Sequence, residues 1–227
     1  MLIDCWRNAL GYRTAFAPRA SRIARAIRLV ERRGGGGLRA ALCTAVLGAA
    51  LQANAADITE ISAPCQGCHG EQGHSVIANI PSLAGQPEFF IMNQLFLMRE
   101  GVRRVEPMKA LVASLSDDDL QALAKYFSKA PPKPSDEVID PELAKRGAAL
   151  ANRARCASCH LPSLAGQEQM PRLAGQRIDY LRHALTDLRD SQRPGADSNM
   201  IAAIGAASDA DIDALAHYAA SVFAATH

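Results

Sequence analysis

The sequence predicts an all-α protein built as two tandem copies of one small unit, and three observations carry that expectation. The pattern C-x-x-C-H occurs twice, at Cys65–His69 and at Cys156–His160. Four blocks of sequence recur in the same order at offsets of 90 to 92 residues. Apolar residues fall at helical spacing between turn signals, and no segment reads convincingly as a strand.

The first 55 of the 227 residues read as a leader. They hold nine Arg, from Arg7 to Arg39, against only Asp4 and Glu31. An apolar stretch at 40–51 (AALCTAVLGAAL) is too short to span a bilayer comfortably, and Ala53-Asn54-Ala55 follows it as an A-x-A cleavage site. Residues 1–55 are therefore expected to be a secretory signal peptide with an over-extended amino end, true translation starting near Leu29 or Val30. The alternative is an uncleaved amphipathic anchor. Cys5 and Cys43 would leave with the leader.

The formal charge of +2 hides a division. Taking the nine leader Arg from 25 basic residues leaves 16, and taking Asp4 and Glu31 from 23 acidic residues leaves 21, so the body carries −5. It has no long basic run, which argues against nucleic acid as a partner. Aromatic residues make up only 5% of the chain, so a small core must find other filling.

From residue 56 the repeat organises the chain. PCQGCH (64–69) matches RCASCH (155–160), and Pro81–Gln86 (PSLAGQ) matches Pro171–Gln176 (PRLAGQ). Met108 matches Met200, and LSDDDLQALAKYFS (115–128) matches ASDADIDALAHYAA (207–220). Residues 56–130 form the expected first domain and 142–227 the second. The linker, 131–141, belongs to a stretch (KAPPKPSDEVIDP) whose four prolines no regular element accommodates. Each unit is small enough that its core is marginal without a staple or a cofactor.

Helices are expected in order. Phe89–Arg99 and Ile178–Arg189 are the middle helices of the two units. Ser116 followed by Asp117-Asp118-Asp119 supplies a hydroxyl cap and an acidic first turn, and Leu120, Leu123, Ala124 and Phe127 lie on one face behind it. Ser208-Asp209-Ala210-Asp211 opens the twin, with Ile212, Leu215, Ala216 and Ala219 behind. Pro141-Glu142 starts another helix, running through Leu150 toward Cys156.

C-x-x-C-H is the attachment pattern of c-type haem. Within one helical turn two thiols can reach the two vinyl groups of a porphyrin, and the next residue places an imidazole under the iron. Cys65, Cys68, Cys156 and Cys159 are the expected thioether donors, with His69 and His160 as proximal ligands. A C-x-x-C pair can also be a redox dithiol or half of a zinc site. Against a shared zinc, the pairs lie about ninety residues apart, each with its own His and each at the head of its own repeat. For the opposite haem face, Met92 and Met98 belong to an apolar helix and read as core, and Met170, His74, His183 and His217 have no repeat partner. Met108 and Met200 do recur, about forty residues after their histidines, in an expected loop before the last helix. A thioether there favours ferrous iron and raises the reduction potential. Pro81 and Pro171 stand twelve and eleven residues past the histidines, and either a rigid turn or a carbonyl acceptor for the imidazole would explain them.

Taken together, PCQGCHG, IPSLAGQ, QLFLMREGVRR, the Met108 segment with LSDDDLQALAKYF, and DPELAKRGAAL resemble the cytochrome c4 family, diheme class I cytochromes of bacterial periplasms. The resemblance implies two cytochrome c-like domains facing each other, each wrapped around one covalent haem c with His/Met-ligated iron. It implies that the Pro81 and Pro171 carbonyls accept from the proximal histidines. It also implies electron transfer from a membrane quinol-oxidising complex (quinol–cytochrome c reductase) to a terminal oxidase or reductase. The sequence departs from the family where Leu161 replaces the Gly that follows the first motif, and where a second PSLAGQ (162–167) precedes PRLAGQ. The helix before Cys65 is also shorter than usual for the family.

Three functions compete. A periplasmic carrier, not an enzyme, with loose membrane association through its partners, needs only exposed haem edges. A subunit of a sulfur- or alcohol-oxidising dehydrogenase would use the same sites. A haem peroxidase needs an open distal position, where both halves offer a Met.

Overall fold

The computed structural model describes residues 57–223, which lie within one compact unit. The expected leader, 1–55, falls outside the described residues. The first half comprises α1 (Ile58–His69), a 3-10 turn (Glu71–Gly73), α2 (Glu88–Arg99), α3 (Glu106–Val112) and α4 (Asp117–Lys129). The second comprises α5 (Pro141–Arg153), α6 (Ala157–His160), α7 (Ile178–Arg189), α8 (Ser198–Ile204) and α9 (Asp209–Ser221). Among the described residues there is no strand, only an isolated bridge between Gln167 and Met170.

The last helix of each half starts in the same way. The Ser116 hydroxyl accepts from Asp119 N–H while the Asp119 carboxylate accepts from Ser116 N–H, and Ser208 and Asp211 repeat this reciprocal cap. Behind the cap, Leu120, Leu123, Ala124 and Phe127 of α4 are buried against Ile91, Leu95 and Met98 of α2 and Val112 of α3. Ala216, Ala219 and Ala220 of α9 are buried with Ile178, Leu181, Leu164 and Ala174 in a second cluster. Met98 is core, and Met92 packs beside it.

In the second half α5 packs along α9. A side chain at Gly147 would bring a Cβ within 2.0 Å of the Ala214 carbonyl oxygen, so only glycine permits this crossing. Asp140 caps α5 through Glu142 N–H and Leu143 N–H, and its own N–H donates to Nδ1 of the buried His217 at 3.0 Å. His217 is thereby a satisfied core residue. Pro141, placed by sequence at the end of the linker, is the first residue of α5, a position where its missing N–H costs nothing. In the first half α1 begins at Ile58 on an Asp57 cap, seven residues before Cys65, whereas α5 begins fifteen residues before Cys156.

The segments carrying Met108 and Met200 differ from expectation. Each is a seven-residue helix, not a loop. Pro107 in the first turn suits α3, and the Asp197 carboxylate accepts from Asn199 N–H to start α8.

Candidate functional site

Each C-x-x-C-H motif closes a helical segment whose geometry presents its histidine inward. In the first half the motif forms the last turn of α1, with Cys65 half-buried, Cys68 exposed and His69 buried at 5% exposure. In the second, Cys156 caps α6, Cys159 is exposed and His160 is buried at 6% exposure. All four thiols are free. Burial pushes the Cys65 and Cys156 thiols up from their ordinary pKa.

The two imidazoles are held alike. His69 Nδ1 lies 2.8 Å from the Pro81 carbonyl oxygen, and His160 Nδ1 lies 2.9 Å from that of Pro171. A carbonyl only accepts, so Nδ1 carries the proton and Nε2 keeps its lone pair. Burial lowers the pKa of both rings, outweighing the opposing effect of the carbonyl bond. Each half thus offers a neutral imidazole of fixed tautomer and two nearby thiols, the donor set that covalent haem requires. Among the described residues no three His, Cys, Asp or Glu side chains converge as a metal cage would need. Haem iron asks only axial donors of the protein.

Met108 is half-buried against the first core, beside Val105 and Leu115 in the same cluster. Met200 is half-buried at the third residue of α8. His183 is exposed and faces Asp187 at 3.4 Å.

Reading the sequence alone missed the seam between the halves. Gln86 Nε2 donates to the Arg172 carbonyl at 2.8 Å, and its Oε1 accepts from Arg172 N–H at 2.9 Å. Gln176 does the same to Ser82, at 2.9 and 2.8 Å. Each glutamine therefore clasps the residue that follows the other half's histidine-binding proline. The signal was the identical LAGQ in both repeats, which nothing in helix or haem chemistry demanded. Arg177 adds to the seam by donating to the Ser75 carbonyl and to the Asp136 carboxylate.

The fold and these sites have counterparts among known proteins. Residues 144–223 match the family model "Cytochrome c", and residues 53–127 match "Cytochrome C oxidase, cbb3-type, subunit III". Cytochrome c4 of Pseudomonas aeruginosa is 36% identical over 168 residues, covering 69% of this chain and 83% of the relative. A thiosulfate dehydrogenase electron acceptor of Stutzerimonas stutzeri is 32% identical, covering 76% of this chain and 89% of its own. The crystal structure of reduced recombinant cytochrome c4 from Pseudomonas stutzeri superposes with a TM-score of 0.67 at 32% identity, covering 73% of this chain and 97% of that one. Among the described residues no helix is long and apolar enough to cross a membrane. With two cytochrome c domains and two C-x-x-C-H motifs, the chain carries two covalent haem c groups, one on Cys65 and Cys68 and one on Cys156 and Cys159.

Proposed function

The chain belongs to the cytochrome c4 family of diheme electron-transfer cytochromes, and on that premise we propose that it is a periplasmic carrier of single electrons, taking them from a membrane quinol-oxidising complex (quinol–cytochrome c reductase) and passing them to a terminal oxidase or reductase. In this reading the leader 1–55 is removed on export, and the domains 56–130 and 142–227 are joined by the linker 131–141. His69 and Met108 ligate the first iron and His160 and Met200 the second. The Pro81 and Pro171 carbonyls orient the proximal imidazoles and raise their basicity. When bound, each haem supplies a one-electron ferric–ferrous couple.

The observation that carries the reading is the doubling of one arrangement. Each half holds a buried imidazole whose Nδ1 is committed to a proline carbonyl, and each has a methionine at the same place in the repeat, on the short helix before its last helix. Two six-coordinate irons leave no position for a substrate, so the protein acts as a carrier and not as an enzyme.

The test is the optical spectrum of the oxidised holoprotein, with haem counted by pyridine haemochrome. The weak far-red band of methionine sulfur on ferric haem is expected at full strength for both irons. A missing or half-strength band removes Met108, Met200 or both from the ligand set and brings a haem-enzyme reading forward.

A second reading is favoured by the relatives named thiosulfate dehydrogenase electron acceptor, at 32% and 33% identity. In it the chain accepts electrons from a sulfur-compound dehydrogenase, using the same two sites. Co-purification with such an enzyme, and reduction by it faster than by a quinol-oxidising complex, would select this reading.

A further inference from the structure

Among the described residues, three buried side-chain nitrogens lack any hydrogen-bond partner. Two of them are Nε and Nη2 of Arg172, and the third is Nε2 of His74. They share one neighbourhood, because the Arg172 charge, with that of Lys133, helps depress the His74 pKa after burial itself.

Arg172 is held at this place from both sides. Gln86 clasps its backbone N–H and C=O, and its Nη1 donates to the Ala174 carbonyl. The side chain is 2% exposed. Burial draws its pKa down to about 10, so near neutral pH it remains a cation. A buried guanidinium with no counter-ion is strongly destabilising. The charges that lower the His74 pKa are those of Lys133 and Arg172 itself, opposed by the Glu71 charge and a backbone bond to Pro131, and no carboxylate is among the causes that move the Arg172 pKa. The Arg172 guanidinium is therefore a cation in the interior, with the exposed Lys133 adding positive charge nearby, and two donors of its planar fork are unused. Such a fork fits a carboxylate.

The holoprotein contains one further source of carboxylates, the haem itself. Arg172 directly follows Pro171, whose carbonyl faces His160, so the unused donors stand one residue from a haem site. We propose that Arg172 is the counter-ion of a haem propionate at the seam between the two halves. Ser82 holds the equivalent place in the first half and carries no charge, so the cation is a feature of one half only. A fixed cation near haem disfavours the ferric state, so Arg172 raises the potential of the haem whose carboxylate it holds. The inference rests on haem attachment and not on the carrier role, and a haem count separates the two.

The test compares both reduction potentials of the intact holoprotein in wild type, Arg172→Gln and Arg172→Lys. Arg172→Gln is expected to lower at least one potential by about a tenfold change in the one-electron equilibrium constant, ~59 mV, with haem content unchanged and Arg172→Lys in between. Two unchanged potentials in folded Arg172→Gln overturn the proposal. If that variant yields no holoprotein, infrared spectra of wild type carrying haem labelled at its carboxylates decide the matter. A carboxylate band displaced from the solvent-exposed position supports the pair, and bands at that position alone overturn it.

Discussion

The two halves solve one packing problem with opposite choices. In the first, Gly73 holds a positive φ of 85°, and its carbonyl accepts from Leu83 N–H and Ala84 N–H. In the second, Leu164 holds that place, with φ 54° and bonds from Leu173 N–H and Ala174 N–H. The last helices are offset to match. Gly85 N–H donates to the Phe127 carbonyl, and Gly175 N–H donates to that of Ala219. A Cβ at Gly73 would come within 2.9 Å of the Phe127 ring, so the ring occupies the space beside the glycine. Ala219 leaves that space open, and the Leu164 side chain, 2% exposed, is buried in the same cluster. Glycine with phenylalanine has become leucine with alanine. Total volume is conserved while the large side chain moves from a helix to a loop. The exchange places leucine in a left-handed conformation that costs of order 1–3 kcal/mol, which its burial offsets.

The comparison can be broken in several places, from large effects to small. Phe127→Ala should cost about 3–5 kcal/mol in denaturant unfolding of the holoprotein, since Gly73 has no side chain to fill the void. A loss near that of an exposed position would mean the ring is not the filler. Gly147→Val should cost about 3 kcal/mol, because the added atoms meet the backbone of α9 and not a yielding side chain. Ala219→Phe alone should destabilise by overpacking against Leu164, and adding Leu164→Gly should recover stability. A favourable coupling of about 1–3 kcal/mol is expected from the double-mutant cycle, and strict additivity would refute the exchange.

Smaller effects sharpen the comparison at the caps. Ser116→Ala and Ser208→Ala should each cost about 1 kcal/mol, read as separate shifts in the unfolding midpoint. Their carboxylate partners differ. Ser208 and then Arg146, at 2.7 Å, bring the Asp211 pKa down to about 2, whereas the Asp119 carboxyl is lowered by Ser116 alone. A depressed carboxylate contributes stability above its ordinary titration range, and that contribution is lost as pH falls through the folded value. Stability of the wild type should therefore decline as pH drops below about 4 toward 2. Asp211→Asn should flatten that limb more than Asp119→Asn, and equal slopes would remove Arg146 from the account.

Much of the fold was legible because its signals are local. Ser-Asp runs ahead of apolar spacing announce capped helices wherever they occur, and both last helices start where their serines indicate. The C-x-x-C-H pair announced two haems for the same reason, since three donors within five residues need no tertiary contact to be recognised. The second PSLAGQ, a departure from the family, shows the limit of such local signals. Its Gly166 resembles the glycine of the true repeat, yet Leu164 takes the backbone role of Gly73, and nothing in a string of letters shows which residue has positive φ. The methionine segments read as loops because helices of seven residues, one of them with a proline in its first turn, carry too little periodicity to register.

The sequence by itself determined the class of the protein: helices, an internal duplication, and a covalent haem site at the head of each half. These follow from residue types at fixed short spacing, and a helical turn brings such residues together without help. Only the tertiary structure decided how the halves meet. The bonds from Gln86 to Arg172 and from Gln176 to Ser82 join residues 86 and 94 positions apart. The burial of Arg172 and the exchange of Phe127 for Leu164 likewise depend on which distant atoms arrive at one place. Hydrogen-bond partners and packing volumes are properties of neighbours in space, and the chain declares only its neighbours in order.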